Sequence, residues 1–182
     1  MLRLYRQTLE DFTLYNGQEL SQEEFSALHT AASRMSAKMR AVRTVAASSV
    51  SKAELERRLI FKGEDPGHAK EAVSWMQEMH LVDDLETARQ IVSRCIHKGY
   101  GIARAKQALY EKRIPKSYWD DVLTDYPDQM ERIIEFLENK LRTSRDVKDV
   151  RKATDALIRR GFTYGQIRKA LNCMDIADIL EE

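Results

Sequence analysis

Glycine, proline and cysteine are scarce in this chain. Its 182 residues include only 7 Gly, 3 Pro and 2 Cys. An all-β sandwich or a glycine-looped nucleotide-binding fold would need more turn-forming residues than these. Two widely separated cysteines are also too few for a disulfide framework or a zinc site. Because the good helix formers Ala, Leu, Glu, Lys, Arg, Met and Gln are plentiful, the composition predicts an all-α protein.

Long apolar runs are also absent. No stretch approaches the roughly 20 apolar residues of a membrane span, and the first residues, MLRLYRQTLEDF, contain no signal-peptide apolar segment. A chain with 32% charged and 43% apolar residues is expected to be folded, soluble and cytoplasmic. Cys95 and Cys173 both lie among apolar residues with helical spacing, which predicts reduced, buried and structural thiols.

Leu59, Leu109 and Leu157 mark an internal repeat with spacings of 50 and 48 residues. Four further columns of the alignment are apolar in every row: Ala69, Trp119 and Ile167; Ala72, Val122 and Ala170; Val73, Leu123 and Leu171; Met76, Tyr126 and Met174. Their spacing of i, i+3, i+4 and i+7 is typical of an amphipathic helix. In each repeat this amphipathic helix is the third. A second helix, which carries Leu59, Leu109 or Leu157, precedes it, and a first helix with a weaker apolar pattern comes before the second.

The pattern predicts tandem three-helix repeats at residues 36–84, 85–127 and 128–182, after an amino-terminal cap at 1–35. A repeat of this size cannot bury its apolar faces alone, so neighbours are expected to stack into an elongated, curved array. In the cap, Phe12 and Leu14 alternate ahead of an Asn-Gly pair and are compatible with a short hairpin. Ser21 and Glu24 then predict a capping box at the start of a helix that could continue into the first repeat.

The ends of the second helices also follow a pattern. Ser51 and Glu54 predict a capping box at the start of the first of them. Gly63 and Gly161 follow a cation at the end, as expected for a left-handed helix cap. The middle repeat has Arg113 in this column, so a different turn is expected there.

Charge alternates in register with the repeat, although the net charge is only +1. Residues 31–62, 98–116 and 142–170 carry +6, +5 and +6, whereas 63–90 and 117–139 carry −5 and −6. Stacked repeats would gather the basic blocks into a ridge that binds DNA or an acidic protein surface, although a role in solubility alone is the alternative. The candidate binding residues are Arg57, Arg58, Lys62, Arg104, Lys106, Lys112, Lys116, Arg151, Lys152, Arg159, Arg160, Arg168 and Lys169.

No catalytic or metal site is predicted, and no cofactor is expected. The histidines, which lack metal-binding spacing, are His29, His68, His80 and His97. Asp83 and Asp84 could be read as a metal or acid pair, but their place before a helix favours capping. Among the aromatic residues outside the apolar columns, Tyr100 and Tyr118 lie beside cations and remain candidates for stacking on single-stranded bases.

Four segments in order resemble successive blocks of the RecX family, the bacterial modulators of the RecA recombinase. They read SKAELERRLIFKG, LVDDLETARQIV, HKGYGIARAKQALYEKRIP and RRGFTYGQIRKAL, and the likeness covers roughly residues 36–174. The resemblance implies tandem three-helix repeats, binding within the groove of the RecA nucleoprotein filament, and contact with single- or double-stranded DNA. The departures are Arg113, in place of the usual glycine, and the weakly matching amino terminus.

The resemblance therefore implies a monomeric, non-enzymatic regulator in DNA repair, recombination and the SOS response. It would bind the RecA filament, bind DNA weakly to moderately, and modulate the recombinase, ATPase and coprotease activities, with inhibition as the expected direction. Two alternatives share the fold. One is a helical-repeat adaptor for another protein, and the other is a general DNA-binding protein without RecA specificity.

Overall fold

The computed structural model describes residues 4–176, and within that range the chain is all-α, with no β-strand. The α-helices in chain order are α1 (Arg6–Asp11), α2 (Gln22–Ala47), α3 (Lys52–Phe61), α4 (Pro66–Glu78), α5 (Asp84–His97), α6 (Ile102–Glu111), α7 (Trp119–Leu123), α8 (Met130–Lys140), α9 (Val147–Arg159) and α10 (Tyr164–Cys173). A 3₁₀ turn, Lys116–Tyr118, leads into α7. The chain divides into a first compact unit, Met1–Thr87, and a second, Ala88–Glu182.

The first unit is built on α2, α3 and α4. Its buried apolar cluster is Ala37, Ala41, Val50, Leu55, Leu59, Ala69, Ala72, Val73, Met76 and Val82. The predicted columns of the first repeat are therefore buried. The capping box at the start of α2 is confirmed, since Ser21 Oγ accepts from the Glu24 amide at 3.2 Å and the Glu24 carboxylate accepts from the Ser21 amide at 2.8 Å. From this cap α2 runs unbroken to Ala47, so it crosses the predicted boundary at residue 36.

The prediction of a short hairpin near Phe12 is wrong. Residues 6–11 form α1 instead, and Phe12 and Leu14 lie in the turn that follows it, where Thr13 has a φ of 48°. Side-chain pairs one helical turn apart, such as Arg6 with Glu10 at 2.8 Å, favour the helix. The amide of Leu14 then donates to the Leu9 carbonyl at 3.1 Å, which closes the chain back onto α1.

The second unit holds two apolar clusters. One lies among α5, α6 and α7 and includes Leu109, and the other lies among α8, α9 and α10 and includes Leu157. The third helix of the predicted middle repeat is short, and Trp119 Nε1 fixes it by donating to the Ile114 carbonyl at 3.1 Å. Tyr126, beyond the end of α7, donates its hydroxyl to the Tyr100 carbonyl at 2.6 Å.

The turns after α3, α6 and α9 share one conformation, contrary to the expectation for the middle repeat. Gly63 and Gly161 have φ angles of 88° and 90°, and Arg113 adopts the left-handed region as well, with a φ of 56°. In each turn the left-handed residue donates its amide to the carbonyl three residues earlier, and the next amide donates to the buried leucine, at 2.9 to 3.2 Å. The fold therefore imposes this turn on a residue whose Cβ disfavours it.

Asp83 and Asp84 both cap helices, but not the same one. Asp83 Oδ1 accepts from the amides of Leu85 and Glu86 at 2.8 and 3.2 Å, which caps α5 as predicted. Asp84 is buried, and its Oδ1 accepts from the amide of Lys52 at the start of α3, at 2.8 Å. The pair thus joins the starts of two helices.

The two cysteines differ in burial. Cys95 is buried and free, as predicted, and burial raises the pKa of its thiol. Cys173 is exposed, so the prediction that it is buried is wrong. The reason is helical geometry, because the buried face of α10 carries Ile167, Ala170 and Leu171, and residue 173 falls outside that stripe.

Candidate basic binding surface

Two of the predicted cations on α3 are held by a buried carboxylate. Arg57 contacts Glu54 through Nε and Nη2, both at 3.0 Å, and Arg58 Nε contacts it at 2.7 Å. Glu54 is only 6% exposed. The hydrogen bond from Arg57 lowers the pKa of Glu54 to about 2, against the opposing effect of burial, with Arg58 reinforcing the shift. Arg57 and Arg58 therefore stabilise α3 in addition to lining the predicted surface.

Lys62, at the end of α3, lies beside a basic residue of α2 that the predicted set did not include. Its carbonyl accepts from Arg40 Nη1 at 2.9 Å, and Arg40 Nε pairs with buried Glu64 at 2.7 Å. Arg40 and Arg43 line the same cavity as Arg58 and Lys62. Arg40 and Arg43 belong to the basic block at 31–62, which the sequence shows. The sequence does not show that α2 and α3 place these four side chains around one cavity.

In the second unit, two glycines join the start of α6 to the end of α9. The amide of Gly101 donates to the Arg160 carbonyl at 2.9 Å, and the amide of Ala103 donates to the Gly161 carbonyl at 3.3 Å. A Cβ on Gly101 would lie 2.1 Å from the Gly161 carbonyl oxygen, so only glycine permits this approach. The unpaired amides at one helix start thus satisfy the unpaired carbonyls at another helix end.

This junction brings the backbone of Arg104 close to that of Arg160 and Gly161, so it joins segments of two predicted repeats. Arg104 lies against Gly161, since a Cβ built on that glycine would be 2.3 Å from the Arg104 amide nitrogen. Arg160 immediately precedes Gly161, and its guanidinium lies 4.5 Å from the centre of the Phe136 ring. Arg104 also pairs with Glu111 of its own helix at 3.2 Å. The two arginines are thereby fixed on either side of one backbone contact.

The remaining predicted cations of the second unit lie on the outer faces of their elements. Lys106, Lys116, Arg151, Lys152, Arg159, Arg168 and Lys169 are exposed, and Lys112 is half-buried at the end of α6. Lys152 pairs with Asp149 at 3.0 Å. The hydrogen bonds from Lys152 and Ser144 lower the pKa of the Asp149 carboxyl. Lys106, Arg151 and Arg159 form no ion pair within the described part of the chain, so their charges face solvent.

The aromatic residues at these surfaces differ in exposure. Tyr100 and Tyr118 are half-buried and pack against the cluster of α5, α6 and α7. Phe61, Tyr110 and Tyr164 are instead 85%, 71% and 53% exposed. Phe61 lies two positions after buried Leu59, and Tyr110 lies one position after buried Leu109. Both positions fall outside the apolar stripe of the helix, and this offset in the sequence indicates exposure.

Within residues 4–176, no cluster of three or more His, Cys, Asp or Glu side chains could hold a metal ion. None of the described helices is long and apolar enough to cross a membrane.

Comparisons with known proteins agree on one family. The family model described as "RecX, third three-helix domain" matches residues 127–171. Relatives named "Regulatory protein RecX" include one from Chlorobaculum tepidum, 32% identical over 72% of this chain and 83% of its own length, and one from Vibrio campbellii, 28% identical over 78% and 93%.

Two crystal structures share the fold. One, of regulatory protein RecX, has a TM-score of 0.70 and 22% identity, and the match covers 90% of this chain and 85% of the other. The other, of RecX from Lactobacillus salivarius, has a TM-score of 0.69 and 21% identity, covering 80% and 98%. Together with the identity and coverage of the Chlorobaculum tepidum relative, the helices and the ordered sequence blocks place this chain in the RecX family of regulatory proteins.

Proposed function

We propose that this protein binds the RecA nucleoprotein filament on DNA and regulates it, with inhibition of strand exchange, ATP hydrolysis and coprotease activity as the expected direction. The observation that carries the proposal is membership of the RecX family. RecA is the partner that the family resemblance implies.

Exposed cations support the DNA part of this proposal. Lys106 on α6 and Arg151 and Arg159 on α9 face solvent without a carboxylate partner in the described residues. Such charges are available to phosphate oxygens, and each phosphate they neutralise releases counterions. The predicted ridge therefore has cations whose charge is not consumed within the fold.

Exposed apolar side chains support a protein partner beside the DNA. Tyr110 lies one helical turn beyond Lys106 and is 71% exposed, and Ile158 lies next to Arg159 and is 48% exposed. Aromatic and arginine side chains are enriched among the residues that dominate protein interfaces. A nucleoprotein filament offers both kinds of contact, whereas naked DNA offers the phosphates alone.

The charge balance sets the expected ranking of affinities. With a net charge of +1, the field of the whole molecule attracts DNA little, and the basic segments act only within a Debye length of about 8 Å at physiological salt. Affinity for naked DNA is therefore expected to be weak to moderate. Binding to the filament should be tighter because it adds protein contacts.

Co-sedimentation tests the proposal. RecA filaments assembled on single-stranded DNA, naked DNA and free RecA are each titrated with the protein, and RecA-driven ATP hydrolysis and strand exchange are followed in parallel. We expect tightest binding to filaments and slower rates at substoichiometric amounts. If saturating protein neither pellets with filaments nor changes either rate, the regulatory proposal is wrong and a helical-repeat adaptor for another protein takes its place.

A further inference from the structure

A cavity of about 370 Å³ lies in the first unit beside the carboxyl-terminal halves of α2 and α3. The described residues that line it are Tyr5, Ser36, Arg40, Arg43, Thr44, Ala47, Ser48, Arg58 and Lys62. Four of these are cations and none is a carboxylate. The cavity is therefore an electropositive space bounded by two helices.

Two of the guanidinium groups are fixed in place. Arg40 pairs with Glu64 at 2.7 Å and donates to the Lys62 carbonyl at 2.9 Å, and Arg58 pairs with Glu54 at 2.7 Å. Both carboxylates are buried, at 8% and 6% exposure. Since their partners are anchored, Arg40 and Arg58 lose little further conformational entropy when they meet a ligand.

The other two cations supply uncompensated charge. Arg43 and the side chain of Lys62 are exposed and form no ion pair with a carboxylate in residues 4–176. A cation in the last turn of a helix is favoured by the helix dipole. The helix dipole accounts for Arg58 in the last turn of α3. The last turn of α2 holds no basic residue, so the dipole does not account for Arg40 and Arg43 at the same cavity.

We propose that this cavity binds a phosphate group of a nucleic acid. Arginine presents a planar fork of donors that matches phosphate geometry, and lysine adds a point charge. Three arginines and a lysine offer more donors than the two oxygens of one carboxylate can accept, which favours phosphate over an acidic side chain. The inference rests on the proposed function only in that Arg58 and Lys62 belong to the predicted surface, while Arg40 and Arg43 extend it.

The test uses the full-length protein and one matched pair of variants. Arg43→Gln removes a cavity cation that forms no ion pair within residues 4–176. Lys70→Gln removes an exposed cation of α4 in the same unit that is not among the described residues lining the cavity. Binding of a labelled, 5′-hydroxyl single-stranded oligonucleotide is followed by fluorescence anisotropy across a salt series. We expect Arg43→Gln to weaken binding about 5-fold and to reduce the salt slope by about 0.7, as for one lost phosphate contact on a single strand. Lys70→Gln should change neither.

Two further arms identify the source of the phosphate. Equal affinity for 5′-hydroxyl and 5′-phosphate oligonucleotides assigns an internal phosphodiester, whereas tighter binding of the 5′-phosphate that Arg43→Gln abolishes assigns a terminal group. Replacing chloride by inorganic phosphate at constant ionic strength should lower wild-type binding toward that of Arg43→Gln if free phosphate also enters.

Two results would overturn the inference. One is identical DNA binding by Arg43→Gln and Lys70→Gln. The other is a loss confined to binding of RecA filaments, which would assign the cavity to an acidic group of a protein. Either result leaves co-sedimentation of the wild-type protein with filaments, and hence the proposed function, intact.

Discussion

Glu54 is the residue at which folding and the predicted surface meet. It is a buried carboxylate between two arginines. Removing Glu54 would take the shared carboxylate from both guanidinium groups, and removing the arginines would take the two neighbouring cations from a buried charge. Substitutions of Arg57 or Arg58 will therefore mix a loss of stability with any loss of binding. In the second unit Lys106 is exposed and forms no ion pair within the described residues, whereas Arg104 pairs with Glu111 at 3.2 Å and its substitution needs a charge-preserving control.

Replacement of Glu54 by Gln is expected to lower stability in a pH-dependent way. The folded-state pKa of about 2 lies below the ordinary value of 4.5, so the stabilisation is complete above pH 4.5 and is lost as the pH falls toward 2. Because the Arg57 side chain is half exposed, solvent screens part of this interaction, and the expected loss at neutral pH is about 1 to 3 kcal/mol. Urea denaturation at pH 7 and through the acid range measures the free energy of unfolding.

The control for this experiment is Glu56→Gln, because Glu56 lies on the same helix and forms no ion pair within the described part of the chain. The difference in stability between wild type and Glu54→Gln should shrink as the pH falls from 4.5 to 2, while Glu56→Gln should track wild type throughout. A constant difference across that range would mean that the ion pairs with Arg57 and Arg58 do not set the pKa of Glu54.

At the scale of helices and turns, the junction between α6 and α9 depends on glycine twice. Gly101 is needed because a Cβ would collide with the Gly161 carbonyl, and Gly161 because of both its φ of 90° and its contact with Arg104. Gly63 holds the same place in the first unit, with a φ of 88°. Apart from its chain neighbours, no atom of the described residues lies within 4 Å of its Cβ position. A comparison of substitutions at Gly63 and Gly161 therefore separates the cost of backbone strain from the cost of a steric collision.

Gly63→Ala should cost about 1 to 2 kcal/mol, the strain of a left-handed alanine. Gly161→Ala should cost about 1 to 3 kcal/mol more, because the added methyl must displace the backbone of α6. Thermal or urea unfolding of both variants gives the comparison. Equal decreases in the free energy of unfolding would show that α6 and α9 move apart to accommodate the added methyl without a measurable loss of stability.

The helices and their buried faces were predictable because the apolar stripe has a helical period that can be read from neighbouring positions. Leu59, Leu109 and Leu157 are all essentially inaccessible, as their columns predicted. The α6–α9 junction was not predictable, since it joins Gly101 to Gly161 across some 60 intervening positions with no periodic signal. The prediction of a short hairpin was wrong because two alternating apolar residues favour a strand less than the side-chain pairs of α1 favour a helix.

The same limit applies to the basic surfaces. Charge blocks identified which segments are basic, but a block does not say which cations are neutralised within the fold. Arg57 and Arg58 are held by Glu54, whereas Lys106 and Arg159 are not paired in the described residues. Which charges remain available depends on carboxylate positions that only the folded chain defines.

For the whole molecule, the distribution of charge matters more than its sum. A net charge of +1 predicts little long-range attraction, so binding of a polyanion must come from local cations such as those on α6. Reversing Arg104, Lys106 and Lys112 to Glu is therefore expected to weaken binding to DNA and to RecA filaments. It should also flatten the salt dependence by roughly one unit of slope for each lost phosphate contact. Anisotropy titrations over a salt series measure both quantities.

A charge-preserving variant distinguishes this electrostatic effect from damage to α6. Arg104→Lys, Lys106→Arg and Lys112→Arg together keep every positive charge while changing the same three side chains, including the one that pairs with Glu111 at 3.2 Å. If charge acts through the phosphates, this variant should retain most of the affinity and the full salt slope. Circular dichroism confirms that both variants stay helical. Should the reversal leave affinity and slope unchanged, the cations of α6 serve solubility, and the filament must be bound by other surfaces of the protein.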